Sequence, residues 1–176
     1  MEKQAEKRLG IVEWIESIAF SIAVLLVIFL FAVQPAAVSG SSMEPTLQGG
    51  DKIILRSAFY TPAKGDIVVI DSYSDYGETL IKRIIALEGD TVDIDFATGD
   101  VRVNGELLSE PYILAPTTKT GQVVFPLTVP QGCCFVMGDN RPGSLDSRSE
   151  EVGFIDCRNI MGKVFFRLMP HTGGVA

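Results

Sequence analysis

Apolar and polar positions divide this chain into two unlike parts. From Ser17 to Met43 no residue carries a charge, and residues 18–33 run IAFSIAVLLVIFLFAV with only Ser21 interrupting. A helix crossing the bilayer core needs ~20 mostly apolar residues. The pattern therefore predicts a transmembrane anchor over 17–37 behind a cytoplasmic tail, 1–16. A cleavable secretory signal has comparable flanks: Lys3, Lys7 and Arg8 in front, Pro35, Ala36, Ala37 and Ser39 behind. Its apolar core usually spans ~7–15 residues, and the longer run here favours retention as an anchor.

Beyond residue 38 the unbroken apolar run gives way to the pattern of β structure. Short apolar runs recur at 52–55, 66–71, 79–87, 91–96, 122–127, 133–137 and 163–168, each bounded by Gly, Pro, Asp or Asn. Most are rich in β-branched or aromatic residues, which predicts strands. Asn104-Gly105 separates two alternating segments and signals a two-residue hairpin turn. No segment after the anchor sustains a 3.6-residue period. The fold expected is mainly β: an N-terminal transmembrane helix, then an antiparallel β core from 38–90 and 131–170. A small inserted β subdomain at 91–130, marked by Gly99 and four prolines, hangs from that core, and 171–176 form a tail.

Charge adds orientation. The three basic residues ahead of the span favour a cytoplasmic N-terminus under the positive-inside rule, which leaves everything after residue 38 on the extracytoplasmic side. The 176-residue chain has net charge −7, and the part beyond the anchor carries 12 Lys and Arg against 18 Asp and Glu. Such an acidic domain argues against nucleic acid as a partner. Cys133, Cys134 and Cys157 are too few for a disulfide framework and read as small core residues.

Candidate chemistry gathers in three polar clusters: SGSSMEPTL (39–47), IKRIIALEGD (81–90) and MGDNRPGSLDSR (137–148). A serine nucleophile needs a base, yet the single histidine, His171, lies six residues from the end, where chains are commonly poorly ordered. Lysine remains, and Ser–Lys pairs are a known variant of nucleophile-plus-base catalysis. The lysine must be neutral to act. At a reference pKa of ~10.4 fewer than one in a thousand is neutral at pH 7, whereas burial lowers that value by up to ~3–5 units. Lys82 lies between TLI and, after Arg83, IIAL. In a strand it shares a face with Leu80 and Ile84, while Arg83 points the other way. The residues alone leave Lys82 open to an exposed-strand reading, and they do not choose between Ser41 and Ser42.

The segments SMEPTL (42–47), KGDIVVI (64–70), KRIIALEGD (82–90) and GDNRPGSLDSR (138–148) resemble, in order and spacing, the signature boxes of bacterial type I signal peptidases of the compact Gram-positive type. The resemblance covers nearly the whole chain and implies a membrane-anchored serine endopeptidase that removes signal peptides from exported preproteins. It makes Ser42 the nucleophile and Lys82 the general base. Ser144 aligns with the serine that hydrogen-bonds the lysine, and Asp146 and Arg148 with the ion pair behind it. Met43 and Pro45 would fix the nucleophile loop, and Gly138, Asp139, Asn140 and Arg141 the turn that carries Ser144. Leu80 and Ile81 would lie along the strand on which substrate pairs.

The oxyanion would be held by the Ser42 backbone N–H, since Gly40 stands where many members carry a donor serine. Ala86 and Glu88 replace a usual glycine and proline, and SEEV (149–152) extends the turn after Arg148. No metal or organic cofactor is implied. The partners implied are membrane-bound signal peptides and the bilayer, close to the export machinery. The competing readings are a Ser–Lys peptidase of narrow substrate range and a membrane-anchored β module without enzymatic activity.

Overall fold

The computed structural model describes residues 13–27, 33–72, 76–169 and 173–175. Lys3, Lys7, Arg8 and His171, with the middle of the expected anchor at 28–32, lie outside these residues. Residues 13–27 form a helix, α1, whose side chains are all exposed, among them Trp14, Phe20 and Leu25. Among the described residues no helix is long and apolar enough to cross a membrane.

The expected anchor is corrected at its C-terminal end. Val33–Ala37 form a strand, β1, not helix. Pro35 explains the change: it cannot continue a helix, but an edge strand tolerates it. β1 is such an edge, pairing among the described residues only with β2 (Lys52–Arg56), from Val33 opposite Arg56 to Ala37 opposite Lys52.

The remaining architecture is antiparallel β. The main sheet adds β3 (Ile67–Ile70), β4 (Leu80–Leu87), β9 (Cys133–Met137), β10 (Ile155–Asp156), β11 (Ile160–Met169) and β12 (Gly173–Gly174). Its order is β1-β2-β11-β3-β4-β9-β10, with β12 on β11. The second sheet contains β5 (Thr91–Asp95), β6 (Asp100–Val103), β7 (Glu106–Leu107) and β8 (Leu127–Thr128), in the order β7-β6-β5-β8. Asn104 and Gly105 turn β6 into β7 with φ of 54° and 82°, the two positive values that a type I′ hairpin requires.

Three apolar clusters hold the sheets. Met43, Leu47, Ile53, Leu55, Ile67, Val69 and Val164 fill one. Val68, Ile70, Ile84, Cys134, Val136, Val152 and Ile155 fill another, with Leu80 and Cys157 packed against it. The third joins the sheets, setting Val92, Ile94, Val101 and Val103 against Ile85, Ala86, Phe135 and Met137. Burying each large aliphatic side chain stabilises the fold by ~1.5–3 kcal/mol. The cysteines are free thiols, with Cys134 fully buried.

Candidate active site

Three chain segments meet at the end of β4. The first is the turn after β1, where the Glu44 N–H donates to Ser41 O at 3.1 Å and the Leu47 N–H to Met43 O at 2.9 Å. Met43 and Leu47 point into the core, so apolar burial pins the turn while Ser42 stays half-exposed. Gly40 adopts φ of 84°, a left-handed backbone that favours glycine over a serine. The Ser42 N–H donates to no group among the described residues.

The second segment is β4 itself. Lys82 is 3% exposed, and its Nζ donates to Ser42 Oγ at 2.9 Å. Its register partner is Val68, which packs in the same cluster as Ile84 and Leu80. No carboxylate among the described residues pairs directly with Lys82. Burial disfavours the ammonium and lowers its pKa from 10.5 to about 8, with Asp146 pulling the value up and Arg148 pushing it down. Roughly one lysine in ten is then neutral at pH 7.

Arg83, on the opposite face, is equally buried and forms a two-pronged ion pair with Asp139: Nε to Oδ1 at 2.9 Å and Nη2 to Oδ2 at 2.8 Å. Its third arm donates to Gly65 O at 2.7 Å, and its guanidinium lies 3.9 Å from the centre of the Tyr112 ring. Asp139 also accepts the Thr46 hydroxyl at 2.5 Å. One carboxylate thus ties the turn carrying Ser42 to the strand carrying Lys82.

The third segment is the loop 138–154 between β9 and β10. The Asn140 N–H donates to Ser42 O at 3.0 Å, and its side-chain amide donates to Ser41 O at 3.1 Å. Asp146 and Arg148 form a buried bidentate pair at 2.8 and 2.9 Å. Burial alone would raise the Asp146 pKa. The Arg148 hydrogen bonds and charge, with the Gly138 N–H at 2.9 Å, outweigh it and hold the carboxyl below its usual range. Gly138 is packed so closely that a Cβ there would lie 2.3 Å from Ser144 Oγ and 2.4 Å from Ser42 O.

The expected hydrogen bond from Ser144 to Lys82 is absent. The buried Ser144 hydroxyl lies beside the Asp146 carboxylate, which it helps keep ionised, but its oxygen makes no hydrogen bond of ordinary geometry to any described group. Ser149–Gly153 close as a turn on Ser149 O, with Val152 buried. In front of Lys82 a cleft of about 180 Å³ runs between Ala36–Gly40 and Thr79–Lys82, and Leu80, Ile81 and Met43 line it.

With this geometry, 159 residues of the chain (11–169) match the model of the family described as signal peptidase, peptidase S26. The chain belongs to the signal peptidase family. It is 36% identical to a signal peptidase I of Bacillus licheniformis, across 96% of this chain and 94% of that one. It is 34% identical to a signal peptidase IB of Staphylococcus aureus, across 92% and 91%. The crystal structure of a signal peptidase I from Enterococcus faecalis superimposes with a TM-score of 0.51 at 32% identity, over 60% of this chain and 98% of that one. Membership of this family makes the protein a serine endopeptidase.

Sequence reasoning did not find Thr46, Glu110, Tyr112 or Thr117, which complete the surroundings of Arg83 and Arg141. A signal for partners was present, since Arg83 and Arg141 both sit in segments that fold inward and a buried guanidinium requires a carboxylate. Glu110 is 31 positions from Arg141, and nothing in the order of residues says which acid comes near.

Proposed function

We propose that the protein is a membrane-anchored signal peptidase in which Ser42 is the nucleophile and neutral Lys82 the general base. The observation that carries this reading is the 2.9 Å hydrogen bond between Lys82 Nζ and Ser42 Oγ, with the lysine buried and its pKa lowered to about 8. A buried, neutral amine next to a hydroxyl is what activation of serine by lysine requires.

The reaction follows from that pair. Lys82 takes the Ser42 proton as Oγ attacks the carbonyl before the scissile bond, and the Ser42 N–H donates to the developing oxyanion. The ammonium then protonates the leaving amine. With the amine gone, neutral Lys82 takes a proton from water, which attacks the acyl ester and frees Ser42. Asp146 and Arg148 hold the turn behind the pair, with Ser144 buried beside Asp146.

Substrate binds as an extended strand beside Leu80 and Ile81. Among the described residues β4 pairs with β9 only from Arg83 onward, so the edge before Lys82 is open to strand addition. The cleft is small and walled by Ala36, Ala37 and Val38, which suits small side chains near the cleaved bond. The anchor runs from the cytoplasmic tail into the bilayer and delivers the domain to the extracytoplasmic surface. Tethering there raises the effective concentration of a preprotein in the same membrane.

The test is cleavage of a preprotein in detergent and phospholipid, read by the new mature N-terminus. Wild type cuts at the signal junction, and Ser42→Ala and Lys82→Ala each lose at least ~10³-fold in rate. Cleavage by Ser42→Ala at the wild-type rate would move the nucleophile elsewhere, to Ser41 first.

A further inference from the structure

The segment joining β7 to β8 is long, largely irregular and mostly exposed, yet its Thr117 is fully buried and its Glu110 side chain nearly so. Arg141 is fully buried and binds the Glu110 carboxylate through both terminal nitrogens, one bond measuring 2.9 Å. Thr117, also fully buried, accepts from the same guanidinium at 2.5 Å. Tyr112 stacks on Arg83, and the Leu114 N–H donates to Asp139 O at 3.0 Å. Farther on, the Val123 N–H donates to Arg148 O at 3.2 Å, and a Cβ on Gly121 would strike that same oxygen. From Glu110 to Val123 the segment is a strap across the back of the loop 138–148.

Its contacts converge on groups that hold Ser42 and Lys82. Arg141 Nε donates to Gly138 O at 3.1 Å, and Arg141 O accepts Arg148 Nη2 at 2.7 Å. Arg148 holds Asp146, which accepts from the Gly138 N–H. Gly138 is wedged between Ser42 O and the Ser144 side chain. A brace that served stability alone could bind the loop anywhere. This one binds the neighbours of both reacting groups.

We propose that Glu110 is a positioning residue for the Ser42–Lys82 pair, acting through Arg141, Arg148 and Gly138, and that the strap from the second sheet is a working part of the active site. The inference rests on the Ser–Lys reading above. Removing the carboxylate leaves the Arg141 charge buried without its partner, which the loop relieves by shifting. Displacements of about 1 Å cost up to ~10²-fold in rate.

The experiment uses full-length protein in detergent and phospholipid, assayed well below its Tm with one peptide substrate. Glu110→Gln should lower kcat about tenfold to a hundredfold with KM little changed. Its ascending pH limb should move to higher pH, because a loosened loop admits water to Lys82, beside Asp146 and Arg148. Thr117→Val keeps the ion pair and should show a smaller change in the same direction. Glu110→Asp, which restores a carboxylate, should recover most of kcat. Val92→Ala, in the core of the same small sheet but away from the strap, should lower Tm while leaving kcat and the pH limb in place.

If Glu110→Gln and Thr117→Val lower Tm alone, or change nothing, the inference is overturned. Ser42→Ala and Lys82→Ala run alongside: full activity in those two would sink the Ser–Lys reading itself, a different outcome from an inert Glu110.

Discussion

Burying the Lys82 ammonium beside Ser42 has opposite effects on rate and on stability. The folded pKa is about 8 and the ordinary value 10.5. The rate should therefore rise with pH, half-maximal near pH 8 and level above it, as a profile of kcat/KM from pH 6 to 10 would record. Stability follows the same group. Between pH about 8 and 10.5 the unfolded chain holds a proton that the folded one has released, so stability climbs with pH through that window. Below pH 8 the penalty is complete, about 3 kcal/mol. Replacing the ammonium by an apolar chain of similar length removes it. Lys82→Met should raise Tm at pH 7, by up to that amount in free energy, while abolishing cleavage. A Tm below wild type would mean that the Ser42 hydrogen bond outweighs the burial.

Gly138 acts at the same scale by having no side chain. A methyl there meets the Ser144 side chain at 2.3 Å and the backbone Ser42 O at 2.4 Å, and the backbone oxygen cannot swing aside. Gly138→Ala should cut kcat about a hundredfold and leave the circular dichroism spectrum unchanged. Wild-type turnover in that variant would show that the turn carrying Ser42 yields without consequence.

β4 shows what alternation along a chain can and cannot reveal. Its β-branched flanks made a strand legible, but the apolar neighbours of Lys82 left an inward and an exposed lysine equally open. The antiparallel character of the whole and the Asn104-Gly105 hairpin were legible for the same reason, since turn chemistry and a period of two are local. The irregularity in the β4–β9 ladder between Ile84 and Ala86 was not, because it depends on the partner strand. The β structure of Val33–Ala37 was hidden by composition: an apolar edge strand continues an apolar helix without a polar break. The pairings of Arg83 with Asp139 and Arg141 with Glu110 required knowledge of which distant segments meet.

The open edge of β4 has its own test. If a peptide adds there as a strand, its backbone N–H groups carry much of the binding. N-methylation at the substrate residues that face Leu80 and Ile81 should weaken binding about tenfold per bond lost, read as a rise in the inhibition constant. Methylation that leaves the constant unchanged would place the substrate elsewhere in the cleft.

Across the whole molecule the two sheets have unequal roles. The main sheet supplies Ser42, Lys82 and the loop 138–148, and the small sheet closes the third apolar cluster and sends the strap behind that loop. The connector within the stretch expected to be a small inserted β subdomain carries the acid that neutralises Arg141. Its polar residues looked ordinary because their partners lie in another part of the chain.

The strand order β2-β11-β3 has a consequence for how a cell makes this enzyme. β11 is made after both β2 and β3 but lies between them, so those two strands are joined only through it. Synthesis proceeds from the N-terminus, and the turn with Ser42 and the strand with Lys82 leave the ribosome well before the piece that seats between their supports. Until β11 is made, the β1-β2 unit that leads to Ser42 and the β3-β4 unit that carries Lys82 lack the strand that joins them.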